Sequence, residues 1–95
     1  MWSEKSKPLV SLIIPCFNHG RFLGDAITSV KKQTYSPIEI IVIDDGSTDD
    51  TRKVARSFVD VKYFHQKNAG LSAARNAGAA RSNGRKALAH VRAHL

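Results

Sequence analysis

The chain has 95 residues, a net charge of +7 and a single cysteine, which limits it to one small domain and excludes an internal disulfide framework. No uninterrupted apolar run approaches the roughly 18–20 residues of a transmembrane helix. The first residues include Glu4 and Lys5 and no long apolar stretch, unlike a signal peptide, so we expect a soluble, cytoplasmic protein.

The excess of positive over negative charge lies in the last third of the chain. Residues 1–60 contain eight Lys or Arg and all eight Asp or Glu, so the whole excess follows Asp60. Such a basic half can indicate nucleic acid, an anionic membrane or an anionic substrate as partner. Cations spaced along a helix are more often a solvated face, and we favour this plainer interpretation.

The first half of the chain predicts a βαβ unit. Residues 1–8 are polar and are expected to be disordered, while Leu9–Ile14 is an apolar strand that Pro15 should end. Residues 21–33 repeat apolar side chains at helical spacing, and Ile38–Ile43 is apolar on both faces, as in the buried strand of a parallel sheet. The apolar stripe of the helix consists of Phe22, Leu23, Ala26, Ile27 and Val30.

The second half predicts helices around a third strand. Ser47 and the carboxylate three residues later resemble a capping box, which opens a helix that runs to about Phe58. Val61–His65 reads as a short strand. The alanine-rich residues 71–80 are expected to be helical, and so are the alanine-rich residues 85–95.

Carboxylates follow the buried strand directly. In open α/β sheets, ligands bind beyond the carboxyl ends of the strands, so Asp44 and Asp45 stand where a ligand is expected. They could accept hydrogen bonds from a sugar hydroxyl or a base N–H, or hold a hard cation. Asp49 and Asp50 are more simply explained as caps of the following helix. Three loops should meet at this edge: residues 15–20, 44–49 and 66–70.

Other side chains near this edge leave two interpretations open. Phe17 either stacks on a planar ligand or belongs to the core, and Arg75 either meets a diphosphate or faces solvent. His19 and His65 lack a second ligand at metal spacing, so they are interpreted as loop histidines. Cys16 is interpreted as a buried, unreactive thiol. No Gly-x-Gly-x-x-Gly follows a strand, which argues against a dinucleotide-binding fold.

Four blocks of this sequence, in the right order and spacing, resemble the family 2 inverting glycosyltransferases of GT-A fold over about residues 9–84. The blocks are Val10–Asn18, Ser29–Thr34, Glu39–Asp49 and Asn68–Gly78. The resemblance implies transfer of a sugar from a nucleotide-diphosphate donor, usually a uridine diphosphate sugar, to an acceptor hydroxyl. The acceptor, a glycan or a lipid, stays open.

The resemblance also implies which residues bind the donor. In the family, the positions of Pro15 and Phe17 help to frame the base, and that of Asp45 contacts the uridine with Asp44 beside it. The segment 68–76 borders the diphosphate. A general base activates the acceptor, and a divalent metal, Mg²⁺ or Mn²⁺, neutralises the departing diphosphate. The substrate-binding residues carried over are Pro15, Phe17, Asn18, Asp44, Asp45 and Arg75.

The chain departs from the family after Gly78. There the family continues into a strand that ends in Asp-x-Asp, whose acids bind the metal, whereas Arg85–Leu95 is basic and contains no acid. The strand, the metal ligands, the catalytic base and the acceptor-binding half are expected to be missing. No catalytic or metal-binding residue is therefore assigned, and we expect a fragment that is inactive alone, with a tail from a shifted reading frame or an unrelated end.

These observations predict an α/β fold, a three-layer Rossmann-like fragment of the GT-A type with a short parallel sheet and flanking helices. Residues 9–84 form the partial nucleotide-sugar-binding domain, between a disordered 1–8 and an atypical basic helical tail, 85–95. The predicted function is sugar transfer in polysaccharide or cell-envelope synthesis. The alternatives are a non-catalytic nucleotide-sugar-binding module and a basic interaction protein acting through its tail. Nucleic acid is not expected as a partner, and a membrane only at its periphery.

Overall fold

Four parallel strands form one sheet in the order β3-β2-β1-β4. The computed structural model describes residues 8–32 and 37–88. Strands and helices alternate along this part of the chain, which gives βαβ connections and a parallel sheet. The elements are β1 (Val10–Cys16), α1 (Gly20–Lys31), β2 (Ile38–Asp45), α2 (Thr51–Arg56), β3 (Val61–Gln66), α3 (Leu71–Arg81) and β4 (Arg85–Leu88).

The sheet separates two apolar clusters, because successive side chains of a strand point to opposite faces. Ile40 and Val42 of β2 belong to the cluster with α1 and α2, whereas Ile41 and Ile43 belong to the cluster with Ala74 of α3. The predicted three-layer α/β fold is confirmed. Strand β2 is buried on both faces, as its apolar run predicted.

The stripe predicted on the first helix is confirmed. Leu23 and Ile27 are fully buried, and the other three residues of the stripe pack against the same cluster. The helix ends at Lys31, and residues 33–36, which include the predicted end at Gln33, lie outside the described residues. In the described part of the chain, no helix combines the length and apolarity needed to cross a membrane.

Several predicted boundaries are wrong: β2 ends at Asp45 rather than Ile43, and β3 ends at Gln66 rather than His65. Strand β1 continues through Pro15, which pairs with Ile43 of β2. The described pairing of β1 with β4 stops opposite Ile13, so Pro15 has a described neighbour on one side only, where a missing N–H is tolerated. Helix α2 begins at Thr51 rather than Ser47, because the Ser47 hydroxyl accepts a hydrogen bond from the Asn18 amide of another loop instead of capping the helix.

The prediction of a helical tail is wrong for its first four residues. Arg85–Leu88 forms β4, which pairs in parallel with Val10–Ile13, and the Arg85 amide donates to the Leu9 carbonyl at 2.8 Å. Pairing with the open edge of β1 overrides the helical propensity of this alanine-containing segment. The expectation that no strand follows α3 is therefore wrong as well, although β4 carries no acid. The remaining predictions, for 89–95 and for 1–7, lie outside the described residues.

Candidate functional site

A cavity of about 250 Å³ opens at the carboxyl edge of the sheet. Phe17 follows β1 and Leu71 begins α3, and their side chains, 47% and 50% exposed, are large apolar groups that border the cavity. Two of the three loops predicted to meet here line it, residues 15–20 and, through Asp45 at the end of β2, residues 44–49, together with the start of α3. Its lining residues are Pro15, Cys16, Phe17, His19, Asp45, Leu71 and Ala74.

Asp45 closes one side of this cavity and holds the loop between β3 and α3. Its Oδ1 accepts hydrogen bonds from Gln66 Nε2 and the Ala69 amide at 2.8 and 2.9 Å. Its Oδ2 accepts from the Gly70 amide at 2.9 Å and from Asn68 Nδ2 at 3.3 Å. Burial alone would raise the pKa of Asp45, but these hydrogen bonds outweigh it and lower the pKa below its usual value, so the group is a carboxylate.

Asp44 points to the opposite face of the sheet. Its side chain is 1% exposed and does not line the cavity. Asp44 Oδ1 accepts from the Ser47 amide at 2.8 Å, and Oδ2 accepts from the Tyr63 hydroxyl at 2.5 Å. Tyr63 in turn accepts a long hydrogen bond from Arg52 Nε at 3.4 Å. The two adjacent carboxylates therefore do not form one ligand site, since each organises a different loop.

Asn18 joins the first two loops at this edge. Its backbone amide donates to Ser47 Oγ, and its Oδ1 accepts from the Thr48 amide, both at 2.8 Å. Its backbone is in the left-handed region, with φ of 53°, a conformation that Asn tolerates better than most residues. We call this pair of hydrogen bonds the Asn18 latch. It fixes the backbone that follows Phe17.

Asp49 rather than Asp50 performs the capping that the sequence predicted for both. Asp49 Oδ2 accepts from the Gly20 amide at the start of α1 at 3.0 Å. Its Oδ1 accepts from the Thr51 amide and hydroxyl at the start of α2, at 3.0 and 2.5 Å. Asp50 occupies the N-cap position of α2 without a side-chain hydrogen bond to the helix. One carboxylate thus serves two helix N-termini, where its charge is favourable.

Cys16 is the buried thiol that the sequence predicted. Burial, opposed in part by hydrogen bonds, raises its pKa to about 11, so it stays protonated and is a poor nucleophile near neutral pH. His19 lies at the mouth of the cavity, where its ring packs edge-on against Phe22 at 6.5 Å. His65 is an exposed residue of β3.

Arg75 lies away from Asp45, in a second groove of about 510 Å³ between α3 and β4. Its guanidinium donates a long hydrogen bond to Ser72 Oγ at 3.4 Å. Of the six predicted substrate-binding residues, the structure thus brings Pro15, Phe17 and Asp45 together around one cavity. Asn18 does not line the cavity but fixes the loop that carries Phe17. Asp44 lies on the opposite face of the sheet, and Arg75 lines the neighbouring groove.

Sequence reasoning missed several residues that shape the edge. Gln66 and Asn68 hold Asp45, Tyr63 holds Asp44, and Leu71 forms a wall of the cavity. Gln66 and Asn68 could have been found, because Gln66 ends β3 and Asn68 follows it, at the edge where parallel strands present their ligand-binding loops. Tyr63 gave no local signal, since its partner is 19 residues away.

These residues do not fit the divalent metal that the resemblance implies. Among the described residues, no group of three His, Cys, Asp or Glu side chains could hold a metal ion. Both oxygens of Asp44 and of Asp45 already accept hydrogen bonds within the protein. A hard cation needs several free oxygen ligands, so the carboxylates at this edge organise loops instead.

Comparison with known proteins finds glycosyltransferases of similar sequence and of similar fold. A glycosyltransferase of Rickettsia felis, itself uncharacterized, is 47% identical over 74 residues, covering 75% of this chain and 12% of that relative. TarS of S. aureus, residues 1–349 in complex with UDP-GlcNAc, superimposes with a TM-score of 0.81 at 23% identity, over 86% of this chain and 26% of that one.

A second solved structure has the same fold. It is the mannosyltransferase PcManGT from Pyrobaculum calidifontis in complex with GDP-Man and Mn²⁺, with a TM-score of 0.67 at 24% identity, over 82% of this chain and 25% of that one. The chain thus spans about an eighth to a quarter of the length of these proteins. At such identities the two structures show a shared fold.

The family match extends further along the chain than the sequence blocks do. The family model described as Glycosyl transferase family 2 matches residues 11–91, which takes in all four strands except Val10 of β1 and continues past Gly84. The strand order, the loops at the carboxyl edge and this match over most of the sequence agree. The chain belongs to glycosyl transferase family 2.

Proposed function

We propose that this chain is the nucleotide-binding part of a glycosyltransferase that moves a sugar from a nucleotide-diphosphate donor to an acceptor hydroxyl. The observation that carries the proposal is the cavity at the carboxyl edge, bordered by the half-exposed side chains of Phe17 and Leu71. An aromatic face beside an open apolar slot favours stacking with a planar base. The nucleobase of the donor would lie there, with Pro15 at its edge.

The size of the cavity favours uridine over a purine nucleoside. Its volume of about 250 Å³ is slightly below the range of about 300–1,000 Å³ usual for pockets that hold a whole drug-sized ligand, so it suits a small base with part of a ribose. TarS was solved with UDP-GlcNAc and PcManGT with GDP-Man, so the fold by itself is compatible with either base.

The residues of this chain have distinct roles in the proposed binding. Phe17 and Leu71 contact the base, whereas Asn18 and Asp49 hold the loops from which Phe17 projects. Asp45 orders the 66–70 loop and places its own carboxylate at the wall of the cavity. Asp44, buried and bonded to Tyr63, acts on the binding loop through Ser47.

We further propose that the binding domain begins at residue 9 and includes β4, which belongs to its sheet, rather than ending at residue 84 as the sequence predicted. We propose the cytoplasm as the compartment, which suits an unpaired thiol.

Titration calorimetry with uridine and UDP tests this function. We expect Phe17→Ala to weaken the binding of both ligands about tenfold, because base–aromatic stacking contributes about 1–3 kcal/mol. Val59→Ala is the matched control, since Val59 is a fully exposed apolar residue outside the cavity lining. Equal uridine affinity in the parent and Phe17→Ala, or no binding by the parent, would contradict the proposal.

A non-catalytic binding module is the second candidate, favoured by one specific observation. Asp45, the acid that lines the cavity, already accepts four internal hydrogen bonds, and Asp44 is buried away from the cavity, so neither is in position as a general base. The measurement is release of sugar from a UDP-sugar by this chain with and without Mn²⁺. We expect binding without transfer or hydrolysis. Turnover by this chain would contradict that expectation.

A further inference from the structure

We propose that the amino edge of the sheet docks on the surface of a membrane that contains anionic lipids. At this edge the four described strands begin and the three described helices end, because strands and helices alternate in a parallel sheet. It lies opposite the cavity at the carboxyl edge and shares no residue with the lining of that cavity. The amino edge is therefore a second surface of the molecule, distinguished by its charge and by one exposed valine.

Basic side chains stand at the end of every described helix. Lys31 ends α1 and Lys32 caps it, Lys53 and Arg56 lie in the last turn of α2, and Arg81 ends α3. All five are exposed. Cations at the C-terminus of a helix are favoured by its dipole, so a partner is not needed to explain any one of them. Together, however, the three helices bring their positive charge to one edge of the sheet.

The starts of two strands add cations that the helix dipole does not explain. Lys62 stands at the start of β3, and Arg85 and Lys86 begin β4, all three exposed. Against these eight cations, the described residues of the edge include two acids, Glu39 and Asp60. Most of the net charge of +7 of the chain therefore lies at this one edge.

Most of this charge is not neutralised within the protein. Asp60 and Glu39 pair with one lysine each, whereas Lys32 and Lys53 form no ion pair within the described part of the chain. The acids of the carboxyl edge are too distant to compensate. Strand β2 has eight residues and so spans about 23 Å, whereas exposed charges in physiological salt are screened beyond about 8 Å.

A valine lies in water among these cations. Val59 belongs to the turn between α2 and β3, and its side chain is fully exposed. Of its neighbours in the chain, Asp60 pairs with Lys31, and the ring of Phe58 lies 5.7 Å from the ammonium of the same lysine. An apolar side chain beside cations suits the interface of an anionic bilayer. The cations meet the head groups, and the valine enters the boundary with the acyl chains.

The same features favour a lipid surface over nucleic acid. A nucleic acid would supply the negative charge, but it would leave Val59 in water. Binding of unpaired bases also uses exposed aromatic faces, and among the described residues the large aromatic side chain that is exposed, Phe17, borders the cavity at the opposite edge. Docking through the amino edge leaves that cavity pointing away from the membrane, open to a water-soluble ligand.

Cosedimentation of the chain with lipid vesicles tests the proposal. We expect binding to vesicles of phosphatidylcholine mixed with phosphatidylserine, no binding to phosphatidylcholine alone, and release as salt is added. The double substitution Lys32→Gln with Lys53→Gln should lower the partition coefficient about 25-fold, because each cation at an anionic surface contributes about fivefold. Equal binding to both kinds of vesicle, or binding to neither, would overturn the proposal.

The matched control removes two cations from the other edge. Arg21 lies at the start of α1 and Lys67 follows β3, and both are exposed. Arg21→Gln with Lys67→Gln gives the same net charge as the first double variant, yet it should bind vesicles within about twofold of the parent. Equal losses in the two double variants would show that net charge alone, and not the amino edge, attracts the lipid.

Val59→Trp reports the contact directly through its fluorescence. In a Trp2→Phe background, its emission should shift to shorter wavelength when anionic vesicles are added, because an indole ring prefers the membrane interface. An unchanged spectrum during vesicle binding would overturn docking through this edge. Binding of a short DNA duplex in place of vesicles, weakened by Lys32→Gln with Lys53→Gln, would assign the edge to nucleic acid instead. Vesicle binding is measured without nucleotide, so it is independent of uridine binding in the cavity.

Discussion

Adjacent residues of a strand face opposite sides of the sheet, and Asp44 and Asp45 show the consequence at the end of β2. Asp44 bonds to Tyr63 and the Ser47 amide on the side of α1 and α2. Asp45 bonds to the loop that precedes α3 on the other side. Each carboxylate offers about four lone-pair positions, and Asp45 uses four for hydrogen bonds within the protein. Loop order at this edge therefore depends on single side chains.

The Asn18 latch gives a prediction at the scale of one residue. Asn18→Ala removes the acceptor for the Thr48 amide and places alanine at a positive φ, so we expect the free energy of unfolding to fall by about 2 kcal/mol. Asn18→Gly loses the same hydrogen bond but tolerates the backbone, so its loss should be about 1 kcal/mol. Urea unfolding measures both. Equal stability of the two variants would contradict a contribution from the left-handed backbone.

At the scale of elements, α3 packs very closely on β1. A Cβ added at Gly78 would lie 2.3 Å from Ile13 Cγ2, whereas one added at Gly24 of α1 would meet Val54 Cγ1 at an ordinary 3.6 Å. Both glycines are inside helices, where glycine is intrinsically unfavourable. Only Gly78 is therefore required by packing. The alanine-rich composition of α3 serves the same close contact with the sheet.

A pair of matched substitutions tests this difference. We expect Gly78→Ala to destabilise the chain by about 1–3 kcal/mol, because Ile13 or the helix must shift to admit the methyl group. Gly24→Ala should instead stabilise it by about 0.5–1 kcal/mol through helix propensity. Thermal or urea unfolding gives both values. A stabilising Gly78→Ala would show that α3 does not pack on β1 as closely as described.

At the scale of the whole molecule, one carboxylate ties together the amino edge of the sheet. Glu39 accepts hydrogen bonds from the Ser11 hydroxyl at 2.6 Å and from the Asn83 amide and side chain at 3.0 and 2.9 Å, and it pairs with Lys62. The Ser11 hydroxyl in turn accepts from the Gly84 amide at 2.8 Å. Strands β1, β2 and β3 and the turn into β4 are thereby joined, which fixes the register of β4.

This cluster makes the stability of the chain depend on pH. The hydrogen bonds from Lys62, then Ser11, lower the pKa of Glu39 from 4.5 to about 2, against the opposing effect of burial. Because the folded-state pKa is the lower one, the stabilisation is complete above pH 4.5 and is lost as the pH falls towards 2. Glu39→Gln should therefore cost about 2 kcal/mol near neutral pH and progressively less in acid.

Urea unfolding of the parent and Glu39→Gln at several pH values measures this effect. The control is Asp25→Asn, at an exposed residue of α1, which should change stability little at any pH. Asp45, Asp49 and Asp60 also have lowered pKa values, so both proteins should lose stability in acid. A difference between parent and Glu39→Gln that does not change with pH would contradict the role given to the Glu39 charge.

The sequence by itself determined the order of the first six elements and the edge of the sheet at which the cavity opens. These elements could be predicted from local patterns, namely the apolar run of β2, the apolar stripe on α1 and the alanine-rich α3. Burial of one or both faces of a strand or helix makes apolar residues recur at a spacing typical of that element. Parallel strands then bring the loops after β1, β2 and β3 to one edge. Pro15, Phe17 and Asp45 could be placed beside a common cavity for this reason.

Only the tertiary structure decided what each polar side chain does at that edge. Asp44 bonds to Tyr63, Asp49 reaches the start of α1 in addition to the adjacent α2, and Ser47 bonds to Asn18, each through a hydrogen bond between residues 19 to 29 positions apart. The strand at Arg85–Leu88 likewise exists because it pairs with β1, about 75 residues earlier in the chain, against its own helical propensity. The spacing of residues along the sequence does not indicate such distant partners. They are selected by the sheet register and by the free-energy cost of leaving a buried polar group without a hydrogen bond.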